Sequence, residues 1–340
     1  MEKEFLKYLE LIKKPVFNHI RLFLPQGEPR SHYNIVREYP ERQGKYFRPG
    51  LLLMVSELYG GKRKQAVPVA AVVQTAEDWL LVHDDVEDQG LHRRSGSTLN
   101  SLYGNEIAIN AGDALHVIMW RMLGDAVGRL DVVLGKKIYT LFSQILLTTI
   151  EGQYLELEWR RKPKPFTEEY YFEIISRKTA WYTVLGPAKL GIMLAGKNSH
   201  ALMASVEAWG MPLSYAFQIW DDILNVTASR TQFGKDTGSD IQESKPTLML
   251  AHLWQHASKS EIKSLQAIFA KLLGEKTSQD ERLVLTLMEK YGSLDYAKTT
   301  AFRLSELALW EFKSVTSKLP KTRAKRCIEE AIKFSVNRSR

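Results

Sequence analysis

Apolar residues along this chain return at helical spacing, every three to four positions, as in KKIYTLFSQILLTTIEGQYLELEW from Lys136 and EIKSLQAIFAKLLG from Glu261. Period-two alternation is nearly absent, so the pattern predicts helices and no strand. Breakers divide those helices at Pro25–Pro29, Gly60–Gly61, Gly90–Gly96, Pro163–Pro165, Gly196–Ser199, Gly234–Pro246 and Gly274–Asp280. Roughly ten helices or more result, many of them apolar on more than one side, as in a large bundle with a central element. The fold class is therefore all-α. With no low-complexity linker and no short-period repeat, we expect a single domain over residues 1–340, its motifs falling at 40–255 and further helices at 256–340.

Composition narrows the class. The 44% hydrophobic and 25% charged fractions are those of a globular protein, outside the disordered and fibrous classes. The single cysteine, Cys327, excludes an internal disulfide and fits a reducing compartment. The opening MEKEFLKYLE has charges where a signal peptide would have an apolar core, and no stretch approaches the length of a membrane span. A cytoplasmic enzyme is the expectation. The net charge of +8 is carried largely by short groups (Lys62–Lys64, Arg160–Lys164, Lys321–Arg326) that read as solvated loops and helix ends. None has the interleaved aromatic residues of a nucleic-acid platform, so no nucleic-acid partner is expected.

Two acidic clusters change the picture. DDVED (Asp84–Asp88) and DDILN (Asp221–Asn225) lie in apolar stretches, and in each the first and fifth positions are one helical turn apart and share a face. Like charges at that spacing repel, and embedding them beside Leu80, Leu81, Val82, Ile219 and Trp220 raises the cost. Cations must compensate. An all-oxygen ligand set without Cys or His suits a hard divalent ion, and Mg²⁺ commonly brings phosphate. Two such helices facing each other across a bundle would bring both acidic ends to one cavity mouth.

Basic residues accompany both clusters. Lys45 and Arg48 lie in GKYFRP, Arg93 and Arg94 in the loop after the first cluster, and Lys235 and Lys245 after the second, with the acidic Asp240 between them. Carboxylates with separate cations imply two anionic groups, one bridged by metal and one gripped directly, each close pair worth ~4 kcal/mol at an effective dielectric of about 20. Metal-clamped diphosphate is a good leaving group. An apolar cavity opposite it would keep water from a reactive cation, with Lys178, Thr179 and Gln218 as polar groups near its wall.

GKYFRP (44–49), HDDVEDQGLHRRSG (83–96), NAGDALH (110–116), GQYLE (152–156), KTA (178–180), FQIWDD (217–222), FGKDTGSD (233–240) and KPTL (245–248) stand in order over about 200 residues. In these motifs the chain resembles the trans-isoprenyl diphosphate synthases, the polyprenyl synthetase family, of short-chain type. The resemblance implies an all-α bundle around a central cavity, a homodimer, and three Mg²⁺ ions. It also implies condensation of isopentenyl diphosphate with an allylic diphosphate by ionisation, attack of the double bond and proton loss. Position by position, Asp84, Asp88 and Asp221 resemble direct metal ligands, with Asp85 and Asp222 in support. Arg93, Lys178 and Lys235 resemble the clamp on the allylic diphosphate, and Lys45, Arg48 and Arg94 the isopentenyl diphosphate site. Thr179 and Gln218 resemble the groups that steady the carbocation, and the basic end Arg338–Arg340 a tail that closes over the site or simply frays. Beyond Ala251 the chain matches only as helix.

Three positions depart from the common pattern. Seven residues before Asp84, where many relatives carry His or Gln, stands Glu77, within about 20° of Asp84 on the helix and roughly 10 Å along it. It would repel a diphosphate unless neutralised, and an ion pair with Lys45 or Arg48 is the simpler reading. The second cluster ends in Asn225 instead of Asp, able to accept from a metal-bound water without charge. KPTLML lacks a Pro that often follows this segment. For product length, Trp79 and Leu80 occupy the fifth and fourth positions before the first cluster, and nothing is inserted between Asp85 and Asp88. That resembles archaeal-type geranylgeranyl enzymes, and we expect twenty carbons over the fifteen of farnesyl; ordinary packing of Trp79 against another helix is the alternative. Rival readings are a class I terpene synthase, which would leave Lys45, Arg48 and Arg94 without purpose, a non-catalytic subunit, which Glu77 favours and the intact aspartates oppose, and a basic helical scaffold for membrane or nucleic acid.

Overall fold

The computed structural model describes residues 4–197, 199–227 and 239–337. They form helices α1 (Glu4–Arg21), α2 (Arg30–Arg42), α3 (Phe47–Leu58), α4 (Arg63–Glu87), α5 (Leu99–Tyr103), α6 (Asn105–Gly128), α7 (Val132–Arg161) and α8 (Glu168–Ile175). A π-helix (Ser176–Leu185), α9 (Gly186–Leu194), α10 (His200–Thr227), α11 (Ser239–Gln242) and α12 (Leu248–His256) follow. The chain ends with α13 (Lys259–Phe269), α14 (Ser278–Lys290), α15 (Ser293–Val315) and α16 (Arg323–Phe334). The all-α expectation holds, with one correction. Strands β1 (His92–Arg93) and β2 (Gly96–Ser97) pair as an antiparallel hairpin, too short for any alternation to announce it. The breakers at Gly60–Gly61 and Pro163–Pro165 fall between helices, Gly274–Asp280 runs into the first turn of α14, and α11 forms inside the stretch read as loop at 234–246.

Packing groups the chain into two compact units. The first comprises Met1–Gln144, Leu185–Val206 and Lys318–Ala331. Here α4 packs against α1, α3 and α6, and α3 against α9. Helix α1 shows why its residues form a helix: Phe5, Tyr8, Leu9, Ile12, Val16 and Ile20 repeat at three- and four-residue steps, and all are buried. Helix α4 is buried on most sides, through Ala66, Val69, Ala70, Ala71, Val72 and Val73, and it carries buried polar residues (Gln74, Thr75, Glu77, Asp78) toward its acidic end. Small residues permit the close approach of its partners. A Cβ at Gly112 would sit 2.4 Å from the His83 ring, and one at Gly191 would sit 2.5 Å from the Leu52 carbonyl oxygen.

The second unit comprises Ile145–Val184, Glu207–Ser317 and Ile332–Arg340. Its core gathers Trp159, Phe166, Tyr171, Ile219, Ile223, Leu250, Leu253, Trp254, Leu265 and Phe269, each fully buried apolar side chain contributing about 1.5–3 kcal/mol before entropy is counted. Helix α12, buried through Leu248, Met249, Leu250, Ala251, Leu253 and Trp254, lies against α8, α14 and α15. The threonine of KPTL starts it: Thr247 accepts a hydrogen bond from the Leu250 N–H as N-cap. Ser258 with Glu261, and Thr277 with Asp280, close capping boxes at the heads of α13 and α14.

Candidate functional site

In the first unit the DDVED cluster occupies the last turn of α4. That helix stops in a Schellman arrangement: Gly90 N–H donates to the Asp85 carbonyl at 2.9 Å and Gln89 N–H to that of Val86 at 3.3 Å, with Gln89 left-handed at φ 51°. Three aspartates therefore stand at the negative end of a helix dipole, which adds to their mutual repulsion. The hairpin supplies the compensation. Arg93 donates from Nε to Asp85 Oδ1 at 2.8 Å and from Nη2 to Asp84 Oδ2 at 3.0 Å. Tyr39 of α2 donates to the other oxygen of Asp85, and burial, then the Asp85 charge, holds its phenol above the ordinary range, so it remains a donor. Asp85 is thus buried with both oxygens engaged, Asp84 is half-buried, and Asp88 is buried. The turn joining the strands has two left-handed residues, Arg94 at φ 51° and Ser95 at φ 61°, as a two-residue hairpin needs. Neither is glycine, and the strain is spent on aiming two adjacent arginines.

Arg94 turns inward to the buried face of α4. Its Nη1 donates to Asp78 Oδ1 at 2.7 Å and to the Tyr39 carbonyl at 2.9 Å, and its Nη2 lies 3.5 Å from Glu77 Oε1. Arg48 Nη1 reaches the same Glu77 oxygen at 3.2 Å. Glu77 is therefore ion-paired, with Arg48 as foreseen and with Arg94 in addition. Lys45, in the segment before α3, is exposed. Asp78 is wholly buried, and desolvation raises its pKa against the opposing pull of Arg94.

Trp79 is packed on α6: its ring stacks on His116 at 4.2 Å and 29°, with the edge of His83 at 6.0 Å. His116 Nε2 accepts from Trp120 Nε1–H at 2.8 Å, and burial lowers the imidazole pKa, which keeps it a neutral acceptor. Trp79 thus contacts α6 through His116, and Leu80 beside it is half-buried.

The second unit repeats the logic at DDILN, near the end of α10. Asp222 is buried with both oxygens engaged, accepting from Gln218 Nε2 at 2.9 Å and from Tyr171 Oη at 2.9 Å. Burial, then the nearby Asp240, pushes its pKa well up, so a cation there would be stabilising. Asp221 is half-buried. Thr179 Oγ1 donates to Gln218 Oε1 at 3.0 Å, and Lys178 Nζ pairs with buried Glu156 at 2.8 Å. Lys178 and Thr179 ride on the π-helix, and Gly152 of α7 explains its seat: a Cβ there would fall 2.2 Å from the Lys178 backbone nitrogen. The glycine of GQYLE is thus a contact requirement, and Glu156 of the same motif is the lysine's partner.

Asn225 is hydrogen-bonded within the protein. Its Nδ2 donates to Ser239 Oγ at 2.9 Å and its Oδ1 accepts from the Asp240 N–H at 3.2 Å, which ties α10 to the start of α11. Lys245 pairs with Glu243 at 2.7 Å and lies 3.9 Å from Asp240. Lys235 and the Arg338–Arg340 tail lie outside the described residues. Sequence reasoning missed Tyr39, Asp78, Tyr171, Glu156 and Glu243, which hold the readable charges in place. Only Glu156 had a signal, its place inside a motif.

Among the described residues, no three His, Cys, Asp or Glu side chains are gathered as ligands of one ion, and no helix is long and apolar enough to cross a membrane. The donor chemistry of the acidic turns nevertheless fits a hard cation. All donors are carboxylate oxygens, and in the first unit the Arg93 guanidinium already bridges Asp84 and Asp85 as the positive charge that turn needs.

Comparison with known proteins agrees. The family model for polyprenyl synthetase matches residues 29–288. The geranylgeranyl diphosphate synthase of Sulfolobus acidocaldarius is 34% identical over 277 residues, 81% of this chain and 82% of that one. That of Methanosarcina mazei is 30% identical over 283 residues, 83% of each. Among solved structures, the geranylgeranyl pyrophosphate synthetase of Pyrococcus horikoshii superposes with a TM-score of 0.85 at 31% identity, covering 98% of both chains. A polyprenyl synthase of Caulobacter crescentus, solved with calcium and isoprenyl diphosphate, has a TM-score of 0.86 at 22% identity and so supports the fold alone. With its motifs in order and this match over most of its length, the chain belongs to the polyprenyl synthetase family.

Proposed function

We propose that this prenyl diphosphate synthase is a Mg²⁺-dependent enzyme that extends an allylic diphosphate with isopentenyl diphosphate and stops at twenty carbons. The observation that carries the reading is a repeated division of labour. In each acidic cluster the second aspartate (Asp85, Asp222) is locked through both oxygens by a buried tyrosine and one further donor, and the first (Asp84, Asp221) is left half-buried beside it. We take Asp84, Asp88 and Asp221 as the ligands of three magnesium ions, which when bound supply the Lewis acidity that lets diphosphate depart. Arg93, Lys178 and Lys235 hold the allylic diphosphate; Lys45, Arg48 and Arg94 hold isopentenyl diphosphate, with Lys245 steadying the segment beyond the second cluster. Thr179 and Gln218, already hydrogen-bonded to each other, present oxygen dipoles to the allylic cation.

Twenty carbons is favoured by the relatives from Sulfolobus acidocaldarius and Methanosarcina mazei, both geranylgeranyl diphosphate synthases. Within the chain it rests on Trp79, whose ring is backed by His116 and could close the floor beside Leu80. A homodimer accords with apolar side chains left exposed on α6, Ile107, Ile109 and Val117.

The test is to incubate the purified protein with Mg²⁺, isopentenyl diphosphate and primers of five, ten or fifteen carbons, and to size the products. A twenty-carbon product is expected from each primer, with Trp79→Ala yielding longer chains. Product ending at fifteen carbons would overturn the length, an unchanged product from Trp79→Ala the role of that ring, and no product from any primer the activity.

A further inference from the structure

From the seat of Glu77 we infer that this carboxylate is a built-in competitor for the isopentenyl diphosphate site, occupying Arg48 and Arg94 until a diphosphate displaces it. The inference rests on the assignment of those arginines to that substrate. Glu77 is buried, and a single oxygen, Oε1, serves both cations, at 3.2 Å from Arg48 and 3.5 Å from Arg94. Its other oxygen, Oε2, is buried without a hydrogen-bond partner. A carboxylate with half its acceptor capacity unused is held loosely and has lost hydration that nothing restores.

For Arg94 the alternative role, holding the guanidinium in place for substrate, is already filled. Arg94 is fixed by Asp78 at 2.7 Å and by the Tyr39 carbonyl at 2.9 Å, contacts that do not involve Glu77. Asp78 and Tyr39 thus orient the Arg94 guanidinium, and there Glu77 adds charge rather than geometry. A diphosphate brings more negative charge and more acceptor oxygens than one carboxylate oxygen, so it wins the arginines, but against a competitor fixed on α4 beside them at high effective concentration. Neutral His or Gln at this position would not compete. The consequence is a weakened grip on isopentenyl diphosphate, while the allylic substrate, held elsewhere, is unaffected.

Two readouts separate this from the functional assignment. Titration calorimetry with inorganic pyrophosphate in metal-free buffer should show Glu77→Gln and Glu77→Ala binding about five- to ten-fold more tightly than wild type, with the gain lost when Arg48→Ala is added. Steady-state kinetics should show the same fall in KM for isopentenyl diphosphate in both variants, with KM for the allylic primer unchanged. Thermal melting of each variant establishes that it is folded. Unchanged or weaker pyrophosphate binding in both variants, or a raised KM for isopentenyl diphosphate, overturns the inference and makes Glu77 an organiser of the arginines. Tighter pyrophosphate binding with no elongation by any form of the protein leaves the competition standing and removes the proposed activity instead.

Discussion

Tyr171 shows how a carboxylate that burial makes costly is kept in place. Its hydroxyl donates to Asp222 Oδ2, and burial, then the charge of Asp222, holds the phenol well above its ordinary pKa, so the donor never titrates away. Tyr39 does the same for Asp85. Where a buried donor orients a metal-binding carboxylate, its removal typically costs 10–100-fold in metal affinity or activity. Tyr171→Phe is therefore expected to lower turnover at limiting Mg²⁺ by about 10–100-fold and to raise the Mg²⁺ concentration for half-maximal rate. A steady-state magnesium titration checks it, and unchanged magnesium dependence would make the bond purely structural. At this scale charge was legible and its support was not. Asp84, Asp221 and Arg93 announce themselves as charges in apolar or motif settings. Tyr39 and Tyr171 look in the sequence like any core tyrosine, because only the fold brings a phenol to a carboxylate 46 or 51 residues away. Asn225 was visible as a departure, yet its use, bonding Ser239 and the Asp240 N–H, depends on where the chain returns.

Among the elements, helix after helix was readable from apolar spacing, and the misses have physical reasons. The β1–β2 hairpin consists of two-residue strands, so its existence rests on two left-handed turn residues, Arg94 and Ser95, that carry no glycine or asparagine signal. The π-helix at Ser176–Leu185 has no sequence period of its own. What stabilises it is partly visible in Gly152, whose missing Cβ lets α7 approach the Lys178 backbone. A methyl group there meets backbone atoms at 2.2 and 2.7 Å, and neither can rotate away. Gly152→Ala should cost at least about 1–3 kcal/mol of stability by overpacking. It should also displace Lys178 and Thr179, so activity at a temperature where the protein remains folded should fall well below wild type. Thermal melting and kcat measured on the same sample check both parts, and wild-type values for both would show that the approach is not tight.

For the molecule as a whole, the all-α class followed from the apolar spacing and family membership from the order of the motifs. The net charge of +8 suits anionic substrates. It is also spent internally, since Arg48, Arg93, Arg94, Lys178 and Lys245 each pair with a carboxylate. Some counterions were visible, as Arg93 and the Glu77–Arg48 pair were, whereas the Asp78–Arg94 pair depends on where the hairpin returns to α4. The central claim is that magnesium held by Asp84 and Asp221 lets diphosphate leave. It is tested most directly by release of pyrophosphate from geranyl diphosphate with isopentenyl diphosphate, measured against Mg²⁺ for wild type, Asp84→Ala and Asp221→Ala. Release that needs Mg²⁺ in the wild type and falls by orders of magnitude in both variants, with helical circular dichroism unchanged, is the expected result. Release at the wild-type rate in either variant, or without a divalent ion, would contradict the account.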